Sequence, residues 1–149
     1  MSKPPMHLPR GWCVCRFGDL WALSQNGCGV RRGSGTPTVV LRLANASIDG
    51  TVASDNLRLI PLSDADRRKY ALEPGDLLAF RVNGSPSIAG NVISYPGPPG
   101  HTFCDHFIRF RLRPGSLVPA FVARAFATLT VRSQVTGRMV STAGQHTVS

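Results

Sequence analysis

The clearest pattern of apolar and polar positions lies in the middle of the chain. The turn sequence Glu73-Pro74-Gly75-Asp76 precedes four apolar residues, Leu77 to Phe80, and the polar sequence NGSPS follows shortly afterwards. Proline pre-sets φ for a turn and glycine permits the positive φ that closes it. The pattern therefore predicts a short buried strand that delivers Arg81, Asn83 and Ser85 to one loop.

Comparable patterns predict the other elements. Apolar and β-branched runs predict strands over residues 37–43, 57–62, 88–95 and 106–112. Ser63 has the chemistry of an N-cap and predicts a short helix that ends before Pro74, while Pro119 opens a second helical region that Gly137 ends. Together these elements predict a mixed α/β domain of the α+β class, with a twisted, mostly antiparallel sheet and a few helices.

The strand over 106–112 carries an unusual mixture of aromatic and basic residues. We predict one buried face and one basic face for it. The predicted buried residues are Phe107, Phe110 and Leu112, and the predicted basic ones are Arg109, Arg111 and Arg113.

The second helical region is amphipathic. Its predicted apolar face consists of Val118, Phe121, Val122, Ala125, Phe126 and Leu129. Near the start of the chain, Trp12 is predicted to be a core anchor. Cys13 and Cys15 are predicted to share one face of a strand as small buried residues.

Length and composition are those of one globular domain. The chain has 149 residues, of which 42% are hydrophobic, and this suffices for a core. We predict a loose tail over residues 1–7 and a single domain over 8–149. No apolar run approaches the roughly 20 residues that span a membrane, and the N-terminus lacks the apolar centre of a signal peptide. The expected location is therefore cytoplasmic.

The net charge of +9 is unevenly distributed. Residues 1–48 and 77–149 are strongly basic, whereas residues 49–76 carry an acidic excess. A basic surface attracts polyanions such as DNA and RNA. A general arginine bias is the other explanation, because lysine supplies only 2 of the 17 basic residues. A role in RNA binding is weakened by the presence of only 2 Trp and 2 Tyr for base stacking.

Motifs of catalysis and of metal or cofactor binding are missing from the sequence. Cys13-x-Cys15, Cys28 and Cys104-x-His106 do not have the usual spacing of structural zinc ligands. The glycine-rich segment QNGCGVRRGSGT lacks the lysine of a phosphate-binding loop. We therefore expect no catalytic residue, no metal and no cofactor.

Several short motifs occur in one order along almost the whole chain. They are Leu8-Pro9-Arg10-Gly11-Trp12, VLRLAN followed by Asp49-Gly50, Gly75-Asp76-Leu77-Leu78 followed by Asn83-Gly84, Asp105-His106-Phe107-Ile108-Arg109, and AGQHTVS at the end. In this order they resemble the DNA specificity domain of type I restriction-modification systems. That domain is the target recognition unit of the specificity subunit.

The resemblance implies a function and a set of partners. It implies selective binding of double-stranded DNA by a non-catalytic subunit that directs the modification (methyltransferase) and restriction subunits to their site. A second half-specificity subunit would be a further partner, because the chain stops before the long coiled-coil helix of that family. The alternative is a truncated, non-functional remnant or an interaction module with no DNA binding of its own.

DNA readout requires donors that reach base edges and phosphates. Arginine suits guanine and phosphate, and asparagine and glutamine suit adenine. The candidate DNA-binding residues are Arg31, Arg32, Arg42, Asn45, Arg81, Asn83, Ser85, Arg109, Arg111 and Gln145. For Asn83, the backbone requirements of an Asn-Gly turn are an equal explanation.

Overall fold

The computed structural model describes residues 8–29 and 33–149. Within these ranges the chain forms ten strands and three α-helices. The strands are β1 Trp21–Asn26, β2 Thr36–Leu41, β3 Arg58–Leu62, β4 Leu77–Phe80, β5 Val82–Asn83, β6 Val92–Ser94, β7 Thr102–Phe103, β8 Phe107–Leu112, β9 Val140–Thr142 and β10 Gln145–Thr147. The helices are α1 Asp64–Tyr70, α2 Pro119–Phe126 and α3 Leu129–Thr136. None of these helices has the length and apolar character that a membrane span requires. The predicted tail over residues 1–7 lies outside the described residues.

The strands form three sheets. The central sheet has the order β1-β8-β4-β6, and all of its neighbours are antiparallel. A flanking sheet has the order β3-β2-β7, in which β2 and β7 are parallel. A third sheet, the hairpin sheet, has the order β5-β10-β9. The α+β class and the mostly antiparallel pairing are confirmed, although the strands divide among several sheets instead of one.

The central sheet is buried on both faces. Leu78, Phe80 and Phe107 lie on the face that packs against the flanking sheet in the larger core. Leu77 and Ile108 lie on the opposite face, in a smaller core that includes Val122 of α2. Burial on both faces explains why β4 is a continuous apolar run without polar alternation.

The predicted two faces of β8 are wrong. Successive side chains of a strand point to opposite faces, so Phe107, Arg109 and Arg111 share one face, and Ile108 and Phe110 share the other. Arg109 is only 2% exposed and lies in the interior. The basic residues of β8 thus belong to a buried network and do not form a solvated face.

The centre of this network is the carboxylate of Asp76, whose side chain is 1% exposed. Its Oδ1 accepts from Arg111 Nε at 2.7 Å, and its Oδ2 accepts from Arg111 Nη2 at 2.7 Å. Oδ2 also accepts from the backbone N–H of Glu73 at 2.9 Å and lies 3.9 Å from Arg109 Nη1. Hydrogen bonding to Asp76 raises the pKa of Arg111. A bidentate pair of this kind is among the strongest interactions that an arginine and a carboxylate form.

Arg109 links the central sheet to the end of α1. Its guanidinium donates to the backbone oxygens of Ala71 and Lys69, and to the side-chain oxygen of Gln25. Burial lowers the pKa of Arg109, and the negative charge of Asp76 opposes that shift. An arginine remains charged throughout the physiological range. The charge is therefore retained inside the protein and satisfies carbonyl groups that a helix end leaves unpaired.

The helices follow the sequence signals in part. Ser63 caps α1 as predicted, because its Oγ accepts from the N–H of Asp66 at 3.1 Å. The predicted second helical region divides into α2 and α3, and Thr128 is the extended N-cap of α3. The hydroxyl of Thr128 donates to the oxygen of Ala125 at 2.7 Å, a local bond that competes with helix continuation. Gly137 is the C-cap of α3, as expected.

Parts of the predicted apolar face are exposed. Val122 is buried, but Val118 is 66% exposed, Phe121 is 61% exposed and Leu129 is 89% exposed. The break between α2 and α3 separates Leu129 from the predicted face, and at the start of α2 the residues Val118 and Phe121 face away from the core that buries Val122.

The prediction for the beginning of the domain is also wrong. Trp12 is 71% exposed, and Cys13 and Cys15 are exposed residues outside any strand. The aromatic anchor is Trp21, whose ring centroid lies 4.6 Å from that of Phe110. In this part of the chain, aromatic identity alone did not distinguish an exposed residue from a packed one.

Removing the negative charge of Asp76 is expected to destabilise the fold strongly. Asp76→Asn would leave Arg109 and Arg111 without their carboxylate, and the loss of one partner of a buried ion pair costs about 3–5 kcal/mol. Urea unfolding followed by circular dichroism measures this loss of stability. The urea concentration at the midpoint is expected to fall, and the dependence of the unfolding free energy on urea is expected to stay the same.

Asp64→Asn is the matched control, because Asp64 pairs with Arg67 on the surface, where the two side chains are 72% and 44% exposed. A surface pair of this kind contributes at most about 1 kcal/mol. Equal losses of unfolding free energy in the two variants would contradict a special role for the buried carboxylate.

A second expectation concerns pH. His101 Nδ1 lies 2.9 Å from the hydroxyl of Tyr95, and burial lowers the pKa of His101 below its ordinary value of 6.5. The unfolded chain therefore binds a proton more readily than the folded one, so stability falls as the pH drops below about 6.5. Urea midpoints measured from pH 7.5 to 5 are expected to fall less in His101→Gln than in the wild type. An identical pH dependence would show that His101 does not contribute to it.

Candidate nucleic-acid interface

The segment that follows β5 forms a closed loop, residues 84–91, called here the tip loop. Asn83 Oδ1 accepts from the N–H of Ser85 at 2.9 Å, and the hydroxyls of Ser85 and Ser87 lie 2.7 Å apart. Asn91 Nδ2 donates to the oxygen of Ile88 at 3.0 Å. The side-chain oxygen of Asn83 is thus engaged in a local turn, as the turn interpretation of Asn-Gly predicted. The side-chain NH2 group of Asn83 and the hydroxyls of Ser85 and Ser87 are therefore the hydrogen-bonding groups that the loop presents.

The tip loop is held from one side by the hairpin sheet. Val82 and Asn83 in β5 pair with Thr147 and His146 in β10. The pairing extends to the N–H of Val148, which donates to the oxygen of Arg81 at 2.9 Å. The last residues of the chain therefore fix the direction in which the loop leaves the central sheet.

Helix α3 holds the tip loop from the other side. Arg132 donates from Nη1 to the oxygen of Ala89 at 3.0 Å and from Nη2 to the oxygen of Pro86 at 2.9 Å. Gly90 has a φ of +75°, and a Cβ at this position would lie 2.4 Å from Cγ1 of Val135. Only glycine fits so closely against the helix. The sequence patterns did not identify Arg132 as a loop ligand, because carbonyl partners more than forty residues away leave no local signal.

Gln145 lies beside this loop. The turn between β9 and β10 places Ala143 at φ +48° and Gly144 at φ +77°, as in the two-residue hairpins that require positive φ. Gln145 follows this turn at the start of β10 and is exposed. Its neighbour His146 is the pairing partner of Asn83. The structure thus brings Asn83, Ser85 and Gln145 to one end of the domain.

Arg81 connects this end to a basic region. Its backbone N–H donates to the oxygen of His106 at 2.8 Å, and its Nη1 donates to the oxygen of Asp105 at 3.1 Å. His106 lies in a cleft between the flanking sheet and the turn before β8. This cleft, called here the arginine cleft, is lined by Val40, Arg42, Arg58, Ile60, Cys104 and His106.

Two of the predicted DNA-binding residues meet next to this cleft. Arg42 Nη2 donates to the oxygen of Asn56 at 3.1 Å, and the backbone N–H of Arg42 donates to Asn45 Oδ1 at 3.0 Å. Asn45 is only 3% exposed and therefore supports Arg42 from within. The structure places Arg42 at the surface of the cleft and Asn45 beneath it.

Other predicted site residues lie elsewhere. Arg109 is buried against α1, and Arg111 is bound to Asp76 and Glu73, so the central sheet keeps both away from the tip loop. The interior position of Arg109 corrects its assignment to a basic surface. Arg31 and Arg32 lie outside the described residues.

The chain has a clear relative among characterised proteins. Over 141 residues it is 35% identical to the type I restriction enzyme StySPI specificity subunit of Salmonella potsdam. Nearly the whole chain is thus similar to part of a type I specificity subunit. The match covers 93% of the chain and 30% of the Salmonella protein, so the chain spans less than a third of that relative's length. No protein-family model matches the chain.

This similarity confirms the resemblance that the ordered motifs indicated. The match includes the tip loop and the arginine cleft, because it covers nearly the whole chain. Among residues 8–29 and 33–149, no three His, Cys, Asp or Glu side chains cluster in a way that could hold a metal ion. The tip loop presents hydrogen-bonding side chains, and the arginine cleft presents the positive charge of two arginines.

Arg132 is expected to keep the tip loop ordered. Arg132→Ala would leave the oxygens of Pro86 and Ala89 without their charged donor, and a hydrogen bond to a charged group contributes about 1.5–3 kcal/mol. Hydrogen exchange of the amides in residues 85–91 is expected to become about tenfold faster or more.

Arg138→Ala is the matched control for this measurement. Arg138 donates to the oxygen of Gln134, in its own helical region, at 3.3 Å. Exchange in the loop should stay unchanged in this variant. Equal acceleration in both variants would mean that α3 stabilises the loop only by general packing.

Proposed function

We propose that the chain recognises a sequence in double-stranded DNA as the target recognition unit of a type I restriction-modification system. The observation that supports this most is the similarity to a type I restriction enzyme specificity subunit along 93% of the chain. A rigid loop that presents polar side chains next to positively charged groups fits this role, because phosphate contacts give affinity and base contacts give selectivity.

Base readout is assigned to the tip loop and the start of β10. Oδ1 of Asn83 already accepts from Ser85, so Asn83 offers DNA a donor but not the donor–acceptor pair that adenine requires. Gln145 is exposed and carries such a pair. Gln145 is therefore the better candidate for a bidentate contact with adenine, and Ser85 supplies a hydroxyl that can serve any base. Arg31 and Arg32 remain proposed base-reading residues.

The partners of the chain follow from the same proposal. A specificity subunit directs other proteins to its DNA site and does no chemistry itself. The proposed partners are double-stranded DNA, the modification subunit, the restriction subunit and a second half-specificity subunit that supplies the rest of the recognition surface.

DNA binding is tested by fluorescence anisotropy with random duplexes at several salt concentrations, with and without the cognate modification subunit. Binding is expected to weaken steeply with salt and to narrow to a subset of sequences when the partner is present. Sequencing of the bound duplexes would identify the target. Absence of duplex binding in both conditions, or binding that salt does not affect, would contradict the proposal.

Gln145→Ala then tests the assignment of base readout. Loss of a bidentate contact reduces discrimination by about 1–3 kcal/mol, or roughly 5- to 150-fold, at one position of the target. Gln134→Ala is the control, because Gln134 is exposed on α3 and donates to the oxygen of Thr130 in its own helix. Unchanged selectivity in Gln145→Ala would place base readout elsewhere.

A further inference from the structure

We propose that Arg42, Arg58 and His106 form a subsite for one phosphate diester of the DNA backbone, distinct from the tip loop that reads bases. This inference rests on the proposed function and assigns a separate task to the arginine cleft. The ligand chemistry is that of a phosphate oxygen, which a backbone diester of duplex DNA supplies.

The pairing of β2 with β3 brings the two arginines to the same place. Val40 and Arg58 are directly opposite each other in the antiparallel register. Arg42 is two residues beyond Val40 in extended backbone, at φ −113° and ψ 166°, so it continues the same face. Val40 and Ile60 on this face are buried, whereas Arg58 is exposed. The apolar face of the flanking sheet thus ends in two adjacent cationic groups.

The chain turn before β8 closes the cleft from the opposite side. The N–H of Cys104 donates to the oxygen of Leu41 at 2.9 Å, which places this turn at the end of β2. His106 then lies across the cleft from Arg42 and Arg58. Three side chains from three separate parts of the chain converge here, and each has an N–H that can donate to a phosphate oxygen.

Arg42 is already oriented for such a ligand. The bond from Nη2 to the oxygen of Asn56 holds one side of the guanidinium, and the bond from the backbone N–H of Arg42 to Asn45 holds the chain beneath it. Its Nε is buried and has no hydrogen-bond acceptor in the described part of the chain. A pre-organised arginine loses less entropy on binding than a mobile one, and the guanidinium fork matches the oxygens of a phosphate.

The charges around the cleft favour an anion. Arg81 lies on the other side of His106, with its Nη1 on the oxygen of Asp105. Asp105 is the one acidic residue after position 77, and its carboxylate lies towards Gly29, 3.7 Å from where a Cβ of that glycine would be. The backbone of Arg81 is hydrogen-bonded both to His106 and to Val148, so this residue joins the cleft to the base of the tip loop.

The first test compares two substitutions that remove the same charge. Arg58→Gln removes a group of the cleft, and Arg68→Gln removes an exposed arginine on α1. Arg58→Gln is expected to reduce the slope of log K against log salt by about one and to weaken binding to all duplexes by the same factor. Arg68→Gln is expected to keep the wild-type slope, and Arg58→Lys to retain most of it.

Two results of this comparison would overturn the assignment. Equal slopes for Arg58→Gln and Arg68→Gln would show that no phosphate is held by Arg58. A change of sequence preference without a change of slope would mean that Arg58 contacts a base.

The second test separates this inference from the proposed function. Inorganic phosphate is titrated into the labelled wild-type chain, and the Nε–Hε resonance of Arg42 and the ring resonances of His106 are followed by NMR. Saturable shifts that are lost in Arg58→Gln support the subsite, even if the chain binds no duplex and the proposed function fails. Absence of shifts, together with duplex binding whose slope does not depend on Arg58, would refute the subsite and leave the DNA-binding role standing.

Discussion

The structure depends on the burial of one carboxylate between two arginines. Asp76 ends the turn that precedes β4, and Arg109 and Arg111 lie on the neighbouring β8. A buried charge is tolerated only when it is paired and hydrogen-bonded, and Asp76 meets this condition with bonds from Arg111 and from the backbone of Glu73. The requirement fixes the turn, the pairing of β4 with β8, and the position of α1 at the same time.

Both candidate surfaces extend from this pair of strands. Where β4 ends, Arg81 leads into β5 and the tip loop, and where β8 begins, the preceding turn carries His106 to the arginine cleft. The bond from the N–H of Arg81 to the oxygen of His106 joins the two extensions at their base. The relative position of loop and cleft is therefore set by the ion network several residues away, through the register of two central strands. Arg109 and Arg111 thus contribute indirectly to the geometry of both candidate surfaces.

Local patterns predicted most elements but not their partners. The apolar run of β4, the cap at Ser63 and the stop at Gly137 are local properties, and each was found where the sequence placed it. The burial of Arg109 could not be predicted from the local sequence, because its acceptors at Lys69 and Gln25 are brought together only by the fold. The contacts of Arg132 at the candidate site could not be predicted either, since its acceptors lie in the distant tip loop. A polar side chain with distant partners has no periodic signature, and sequence reasoning assigns it to solvent by default.

This has a consequence for reading net charge as a sign of DNA binding. The segment after residue 77 is strongly basic in sequence, yet Arg109 and Arg111 neutralise internal groups and Arg132 is bound to carbonyl oxygens of the tip loop. Such charges contribute to the long-range field, but the terminal nitrogens of Arg132 are both already bound to carbonyl oxygens and Arg109 and Arg111 are held by internal acceptors. What matters for affinity is the smaller set of arginines whose guanidinium groups reach the surface, because these can displace counterions from DNA phosphates. The edge of the flanking sheet, where Arg42 and Arg58 line one cleft, is therefore a more specific candidate for phosphate contacts than the total charge of +9.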